Sequence, residues 1–196
     1  MPGAGSAGAV LIFQEPDSAE QDQEMSPSCL IRRGASCSLS VVPIAGTQPV
    51  LTPLTGKLAD KVAAWFVDDD EGRRRLDADF YGGFQPRWWS LVQRDAHRHG
   101  WVGLVDDAPV GFVDMEVVDE EGSLTIYIRR ASRRQGLGTA LLRLAAVEAR
   151  AMNLAALVGH AESDHAASTR CLVAAGFSED GRDDYGPVFR LPLTDT

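Results

Sequence analysis

The chain has 196 residues, of which 44% are hydrophobic and 24% charged, and its formal net charge is −9 at pH 7. This length accommodates one domain with a complete hydrophobic core, and the composition is typical of a folded globular protein. The acidic balance argues against a nucleic-acid partner, because a phosphate backbone attracts basic surfaces, and it is compatible with a cationic partner. No apolar run approaches the length of a membrane span, so we expect no membrane partner.

The first 46 residues differ from the rest of the chain in composition. They are rich in Gly, Ala, Ser, Pro and Gln, so we predict a mostly disordered tail over 1–46 and one domain over 47–196. The tail has no basic segment before its apolar patch, which argues against a secretory signal. The three cysteines, Cys29, Cys37 and Cys171, have no metal-ligand spacing. We therefore expect free thiols, no metal site and a cytoplasmic protein.

The first predicted elements after the tail are a strand and a helix. The strand falls in either SLSVVPI (38–44) or QPVLTPL (48–54), and the sequence leaves both open. Thr55 is the predicted N-cap of the helix. Four apolar residues share one face of this helix: Leu58, Val62, Trp65 and Phe66. The acidic run over 68–71 is expected to close the helix as a solvated turn.

Two more helices are predicted before the sheet. One covers roughly 73–80 and ends where YGGFQP breaks regular structure. The other begins after Pro86, which suits a first helical position, and stops at Gly100. It carries Trp88 and Trp89, which cannot both be buried by one helical face. We expect one of these tryptophans in the core and the other in the wall of a pocket.

A β section follows the helices. WVGLV, VGFVDMEVV and SLTIYI are separated by turn residues, which predicts an antiparallel meander of three strands. The acidic turn over 119–121 is expected to be solvated. The remainder alternates helix, strand, helix and strand, and the helix after Arg133 is expected to bury a stripe formed by Ala140, Leu141, Leu144, Val147 and Ala151. The next helix is expected to begin at Ser163 or Asp164 and to end at Gly176. This order predicts an α/β fold in which helices flank a central, partly antiparallel sheet.

The stretch IYIRRASRRQGLGTALL, residues 126–142, joins the last strand of the meander to a helix. The first turn of a helix leaves backbone N–H groups without partners, and glycines let an anion approach them. Arg133 and Arg134 add guanidinium groups that suit phosphate oxygens. A dinucleotide-binding fingerprint is excluded because Leu141 stands where its third glycine would be, and a Walker loop is excluded because G-K-[ST] is absent. The pattern therefore predicts a site for a pyrophosphate-like group.

With this loop and the later LAALVGHAESDHAASTRCLVAAGF, the chain resembles the GNAT superfamily of acyl-CoA-dependent N-acetyltransferases. The resemblance spans roughly 51–193 and rests on the [RQ]-x-x-G-x-[GA] loop, the A-x-G-F ending and the order of elements. It implies a layered GNAT-like fold, acetyl-CoA as co-substrate and binding of its pyrophosphate by the loop. The implied cofactor-binding residues are Ile126, Tyr127 and Ile128 of the strand, Arg133, Arg134, Gln135, Gly136, Leu137, Gly138 and Thr139 of the loop, and His165 where many members have asparagine.

The resemblance also implies a direct attack of the amine on the thioester. Many members protonate the leaving thiolate with a tyrosine, but the matching residue here is Leu172, so Tyr185 or a water is the expected donor. The Ile128 N–H is the implied oxyanion donor. Because a primary amine is mostly protonated at neutral pH, a base is required. Asp114 and Glu116 project from the same strand face, so Glu116 is our first choice of base and Asp114 the second.

The acceptor is less constrained by the sequence. Asp114, Trp88 and Trp89 are the candidate substrate-binding residues, because carboxylates and aromatic rings suit a cation. We expect an amino-bearing small molecule such as an aminoglycoside-type antibiotic or a polyamine. A peptide or protein amine is the second candidate, and a non-catalytic acyl-CoA-binding module is the alternative from another class. His160 could face the site, and a homodimer is left open.

Overall fold

The computed structural model describes residues 11–12, 48–81, 87–184 and 186–194. Its strands are β1 Leu11–Ile12, β2 Val50–Pro53, β3 Arg98–Val105, β4 Ala108–Val118, β5 Glu121–Ile128, β6 Ala156–His160, β7 Ser178–Arg182 and β8 Pro187–Pro192. Its helices are α1 Gly56–Ala63, α2 Asp70–Arg75, α3 Ala78–Tyr81, α4 Arg87–Val92, α5 Leu137–Ala151 and α6 Ala166–Ala175. Short 3-10 turns follow α1 and β5.

The strands form one mixed sheet in the order β2-β3-β4-β5-β6-β8-β7. The β5–β6 pair is parallel, and the other neighbours along this path are antiparallel. The predicted meander is confirmed as β3, β4 and β5, and the predicted partly antiparallel sheet is confirmed as well. β2 lies within QPVLTPL, whereas SLSVVPI falls outside the described residues.

The sheet opens between its two parallel strands. β5 and β6 pair from Glu121–Ala156 to Leu124–Gly159, and the recorded pairing stops there. Beyond that point β5 continues to Ile128, and β1 pairs with it in parallel at Ile126 and Tyr127. We call this opening the β5–β6 cleft. The loops that lead into α5 and α6 start at its two sides.

Helices cover both faces of the sheet and bury two hydrophobic clusters. On one face α5 and α6 pack Leu141, Leu142 and Leu172 against Val113 and Ile126. On the other face the α1–α4 region forms the second cluster with residues of β3, β4 and β5: Val62, Phe66, Trp88, Val102, Phe112 and Tyr127. Alternation along β4 and β5 assigns neighbouring side chains to opposite clusters. We call the second side the α1–α4 face.

The first helical region is built differently from the prediction. Thr55 does cap α1, since its hydroxyl accepts a hydrogen bond from the Leu58 N–H at 3.3 Å. The acidic run, however, is not a solvated turn: Asp69 is buried and caps α2, which begins with Asp70, Glu71 and Gly72. The predicted helix over 73–80 is instead divided into α2 and α3. The prediction failed because a buried carboxylate needs partners that lie far away in the sequence.

Other features of the helices and strands also differ from the prediction. α4 ends at Val92, and Arg98–Gly100 begin β3. α5 buries Leu141, Leu142, Ala145, Ala146 and Ala149, whereas Val147 of the predicted stripe is exposed. α6 is capped by His165 rather than by Ser163 or Asp164, and β7 was not predicted. The buried face of α5 differs from the predicted one because α5 packs against α6 as well as against the sheet.

The predicted tail over 1–46 lies outside the described residues, apart from the strand at Leu11–Ile12. YGGFQP is described only at Tyr81, and Tyr185 is not described. Among the helices of the described ranges, none is both long and apolar enough to cross a membrane.

Candidate active site

The loop between β5 and α5 presents its backbone to an open cavity. Arg134 and Gly136 both adopt left-handed conformations, with φ of 65° and 76°. Such reversals bring successive N–H groups onto one concave side, which is a common anion-binding arrangement. Gly136 is also the N-cap of α5, so the partial positive charge of the helix N-terminus lies at the same place. The backbone here is therefore suited to bind an anionic group.

A cavity of about 260 Å³ lies between this loop and the first turns of α6. The loop contributes Arg134, Gly136 and Gly138, and α6 contributes Arg170 and Cys171. The Cys171 Sγ lies 3.2 Å from the Thr139 Oγ1. Burial raises the pKa of the Cys171 thiol, which favours a protonated thiol rather than a nucleophilic thiolate. Arg133 lines the cavity as well, so three arginines and backbone donors surround it.

Arg133 points away from this anion site, into the protein. Its side chain is 4% exposed, its Nε donates to the Ile128 carbonyl at 2.9 Å, and its Nη2 donates to the Asp69 Oδ2 at 2.6 Å. The guanidinium also lies over the Tyr127 ring, 5.4 Å from its centroid. Arg133 therefore fixes the loop to β5 and to the N-terminus of α2.

Asp69 is the centre of this buried network. It accepts hydrogen bonds from the Tyr127 hydroxyl at 2.5 Å and from the Gly72 N–H at 3.0 Å, in addition to the bond from Arg133. Burial disfavours its charged form, but these three donors outweigh burial and hold the pKa of Asp69 below its usual value. A Cβ on Gly72 would lie 2.9 Å from the Asp69 carboxylate, so glycine permits this close packing.

The predicted acidic pair lies on the α1–α4 face, where Arg98 contacts both of its members. Asp114 is 1% exposed, accepts a hydrogen bond from the Tyr81 hydroxyl at 2.7 Å and forms a bidentate pair with Arg98. Glu116 is 41% exposed and lies 3.2 Å from the Arg98 Nη1. Asp114 is thus fully engaged, whereas Glu116 retains access to solvent.

The backbone of β5 is oriented toward the cleft at alternate residues. The Arg129 N–H donates to Val110 of the β4 region at 2.9 Å, so the N–H groups of Tyr127 and Thr125 point the same way. Those of Ile126 and Ile128 consequently point toward the β5–β6 cleft. This is the edge that the resemblance assigned to the cofactor, and β1 pairs with part of it at Ile126 and Tyr127.

Two histidines lie on the β6 side of the cleft. His165 is buried at the start of α6, and its Nδ1 lies 2.7 Å from the Ser168 Oγ. His160 ends β6, and its Nδ1 lies 2.9 Å from the Asp183 Oδ2. Leu172, which occupies the position of the usual tyrosine, is fully buried in the core. No group of three or more His, Cys, Asp or Glu side chains is arranged to hold a metal ion in the part of the chain that is described.

The sequence profile of the Acetyltransferase (GNAT) family matches residues 60–177, which include the cleft, the loop and the cavity. The chain belongs to the GNAT family of acetyltransferases. It is an acetyl-CoA-dependent N-acetyltransferase, as the resemblance implied, and acetyl-CoA is its co-substrate.

Relatives of this acetyltransferase agree with the assignment. An uncharacterized N-acetyltransferase of Bacillus subtilis, YfmK, is 27% identical over 130 residues, which cover 66% of this chain and 85% of YfmK. The fold is similar to that of the spermidine N-acetyltransferase of Vibrio cholerae, with a TM-score of 0.60, 14% identity and coverage of 74% and 94% of the two chains. It is also similar to aminoglycoside acetyltransferase AAC(6')-Ib bound to coenzyme A and kanamycin, with a TM-score of 0.61, 17% identity and coverage of 74% and 94%.

The predicted site residues of the acetyltransferase fall into three groups. Those around the cavity and the cleft edge lie together: Ile126, Ile128, Arg134, Gln135, Gly136, Leu137, Gly138, Thr139 and His165. Arg133 and Tyr127 adjoin them but turn their side chains into the Asp69 network. Asp114, Glu116 and Trp89 lie on the α1–α4 face, where Trp88 is fully buried against Tyr81 and Phe112.

Sequence reasoning did not identify Asp69, Tyr81 or Arg98. The spacing of Asp69 and Gly72 is a signal that was available, because an aspartate N-cap bonds the N–H three residues later. Arg98 and Tyr81 offered no such local pattern, since Arg98 contacts Asp114 from the neighbouring strand β3 and Tyr81 contacts it from α3.

The two buried tyrosines predict a loss of stability at alkaline pH. Burial and the neighbouring carboxylates Asp114 and Asp69 raise the pKa of Tyr81 and of Tyr127. Above about pH 10 the unfolded chain releases these protons while the folded chain retains them, so the free energy of unfolding falls, by up to about 1.4 kcal/mol per pH unit and tyrosine. Urea unfolding between pH 8 and 11 measures the slope. Tyr127→Phe should reduce it, and a slope identical to that of the wild type would contradict the assignment.

Proposed function

We propose that this acetyltransferase moves an acetyl group from acetyl-CoA to a primary amine on a cationic small molecule such as a polyamine or an aminoglycoside. The observation that carries this proposal is the Asp114–Glu116 pair on the α1–α4 face, beside the strand that forms one side of the cleft. The fold similarity to spermidine and aminoglycoside acetyltransferases supports the same substrate class. A peptide or protein amine is the second acceptor to be tested.

The pyrophosphate of acetyl-CoA binds to the backbone of the β5–α5 loop, with Arg134 and Arg170 as its cationic neighbours. Support comes from the left-handed residues of the loop, the helix N-terminus and the cavity that they share. Arg133 acts indirectly, by holding the loop in this shape through Asp69 and the Ile128 carbonyl. The pantetheine arm pairs with the main chain of Ile126 and Ile128.

The amine attacks the thioester carbonyl, and the Ile128 N–H stabilises the oxyanion that forms. Glu116 accepts the amine proton through a chain of waters, because Asp114 is already occupied by Arg98 and Tyr81 and the residue paired with Glu116 on β5 is Ser123, five residues before Ile128. Asp114 then keeps Arg98 in place and adds negative charge that attracts the cation. Collapse of the intermediate breaks the carbon–sulfur bond, and the thiolate takes its proton from Tyr185 or from water, since Leu172 has none to give.

Replacing Glu116 by Gln tests the base. Turnover should fall by roughly 100-fold because proton transfer is lost, while the dissociation constant for CoA stays unchanged. Stability should change by less than about 1 kcal/mol, since the Arg98 pair is partly exposed. The matched control is Asp119→Asn in the turn after β4, which should leave turnover unaltered. Full activity in Glu116→Gln would remove this residue from the mechanism.

A screen of acceptors tests the substrate class. Polyamines, aminoglycosides and lysine-containing peptides are compared by release of free CoA at equal concentration, with calorimetric binding of acetyl-CoA measured in parallel. The proposal expects turnover with at least one small polycationic amine at a rate well above that of the peptides. Faster turnover of the peptides would favour the second acceptor class instead.

β1 occupies part of the edge that the cofactor needs. Leu11 and Ile12 pair with Ile126 and Tyr127, so β1 and the pantetheine arm exclude one another at this edge. Ile12→Pro removes the backbone N–H of Ile12 and weakens this pairing. We expect CoA to bind roughly three- to tenfold more tightly, because a larger fraction of the protein is competent to bind. Calorimetry measures the change, a proline at Gln21 is the control, and equal affinity in both variants would contradict the competition.

A further inference from the structure

The short helix α2 lies between the two loops that border the β5–β6 cleft. At its N-terminus, Asp69 bonds Arg133 of the loop that follows β5. At its C-terminus, Arg75 bonds Glu162 and Asp164 of the loop that follows β6, with its Nη1 3.2 Å from the Asp164 Oδ1. α2 is therefore connected to both sides of the cleft through charged side chains.

Glu71 makes the connection continuous. Its Oε1 accepts a hydrogen bond from the Arg75 Nε at 3.2 Å, and its Oε2 lies 3.6 Å from the Arg133 Nη1. The side chains that form this chain are largely withdrawn from solvent, with exposures of 13% for Arg75, 18% for Glu71 and 4% for Arg133. Ion pairs in such a setting are screened less by salt than surface pairs. An uninterrupted row of alternating charges thus runs from one loop to the other.

The position of this row matters because β5 and β6 do not pair with each other there. In the part of the chain that is described, β5–β6 pairing ends at Leu124 and Gly159, and the strands part toward these same loops. On the α1–α4 face, the row from Arg133 to Glu162 joins the two sides beyond that point. Neighbouring arginines on α2 are not part of it: Arg73 is 54% exposed and pairs only weakly, at 3.9 Å, with the exposed Asp70.

We propose that α2 is a charged clasp that sets the width of the β5–β6 cleft, and that Arg75 is a positioning residue for acetyl transfer. This rests on the proposed binding of acetyl-CoA in the cleft. Arg75 holds the loop after β6 at a fixed distance from the loop that binds the pyrophosphate, and so fixes the thioester against the Ile128 N–H. The pyrophosphate site itself lies on the α5–α6 side and does not contact Arg75.

This geometry predicts a separation of binding from turnover in Arg75→Gln. The dissociation constant for CoA should stay within about threefold of the wild type, because the pyrophosphate site is intact. Turnover with the best amine of the screen should fall by roughly 10- to 100-fold, because displacement of reacting groups by about 1 Å costs that much. Arg75→Lys should restore part of the loss, and Arg73→Gln, on the same helix, should be indistinguishable from the wild type.

Hydrogen exchange provides a readout that does not need an acceptor. In Arg75→Gln, amides over 125–128 and 160–165 should exchange faster, while those of the β3–β4 hairpin keep their wild-type rates. Faster exchange throughout the sheet, or unchanged exchange in the cleft, would overturn the clasp. If Arg75→Gln does not fold, the double variant Glu162→Gln, Asp164→Asn removes the same contacts from the opposite loop. Failure of the wild type to bind CoA would instead count against the proposed cofactor site.

Discussion

Asp69→Ala is expected to lower the free energy of unfolding by about 3–5 kcal/mol, a large share of the stability of a domain of this size. The reason is the Arg133 guanidinium, which is 4% exposed and would lose its closest carboxylate. Glu71, at 3.6 Å, is too distant to replace that contact fully. The Tyr127 hydroxyl and the Gly72 N–H would lose their acceptor at the same time. Urea unfolding at pH 7 measures the effect.

The matched control for this prediction is the adjacent residue. Asp70 is 98% exposed and forms a weak ion pair with Arg73, so Asp70→Ala should change the free energy of unfolding by less than about 0.5 kcal/mol. Asp69→Asn should fall between the two, because it keeps an acceptor oxygen but loses the charge. Equal stability of Asp69→Ala and Asp70→Ala would show that the buried network is not an energetic centre of the fold.

The lowered pKa of Asp69 also gives this network a pH dependence. A carboxyl whose pKa is lower in the folded state stabilises the protein above its unfolded pKa, near 3.9, and that stabilisation is lost as the pH falls through the folded value. The wild type should therefore lose stability between about pH 5 and pH 2 more steeply than Asp69→Asn. The effect of the buried tyrosines has the opposite sign, because they make the free energy of unfolding fall as the pH rises above about 10.

The parts of the site that were predicted from the sequence are those that local patterns encode. The loop from Arg133 to Thr139 follows from a strand, a glycine pair and a helix start, all within a short stretch of chain. The meander follows in the same way, because alternation and turn residues specify neighbours in sequence. The cleft between β5 and β6 could not be predicted from local patterns, since no residue pattern specifies where two strands stop pairing.

What could not be predicted depends on partners that are distant in the sequence. Asp69 is 58 residues from Tyr127 and 64 from Arg133. The local sequence alone therefore indicates only that Asp69 belongs to an exposed acidic run. Arg133 shows the converse. It belongs to the sequence pattern that predicts phosphate binding, but its guanidinium forms an ion pair with Asp69, which only the fold brings close. Arg75 is similar, with Glu162 87 residues away. In each case the chemistry of the residue was visible, but its partner was not.

Gly136→Asp is expected to weaken CoA binding by about 100-fold, with a loss of stability of about 1 kcal/mol because a side chain is strained at this left-handed φ. Aspartate tolerates the left-handed φ of 76° better than most residues, and a Cβ here meets no atom within 4 Å. Gly136 is also the N-cap of α5, so the substituted side chain would lie at the N-terminus of this helix. The new carboxylate would nevertheless lie beside the cavity that takes the pyrophosphate, where repulsion between like charges costs a few kcal/mol.

Gly136→Asn separates charge from shape in this prediction. Asparagine has the same size, the same tolerance of the left-handed region and the same N-cap preference, but it carries no charge. Calorimetry with CoA at low and high salt should therefore find the asparagine variant within about threefold of the wild type, and the loss in the aspartate variant should diminish as salt screens the repulsion. If both variants bind alike, the charge at the start of α5 does not face the pyrophosphate, and the cofactor must enter the fold by another route than this loop.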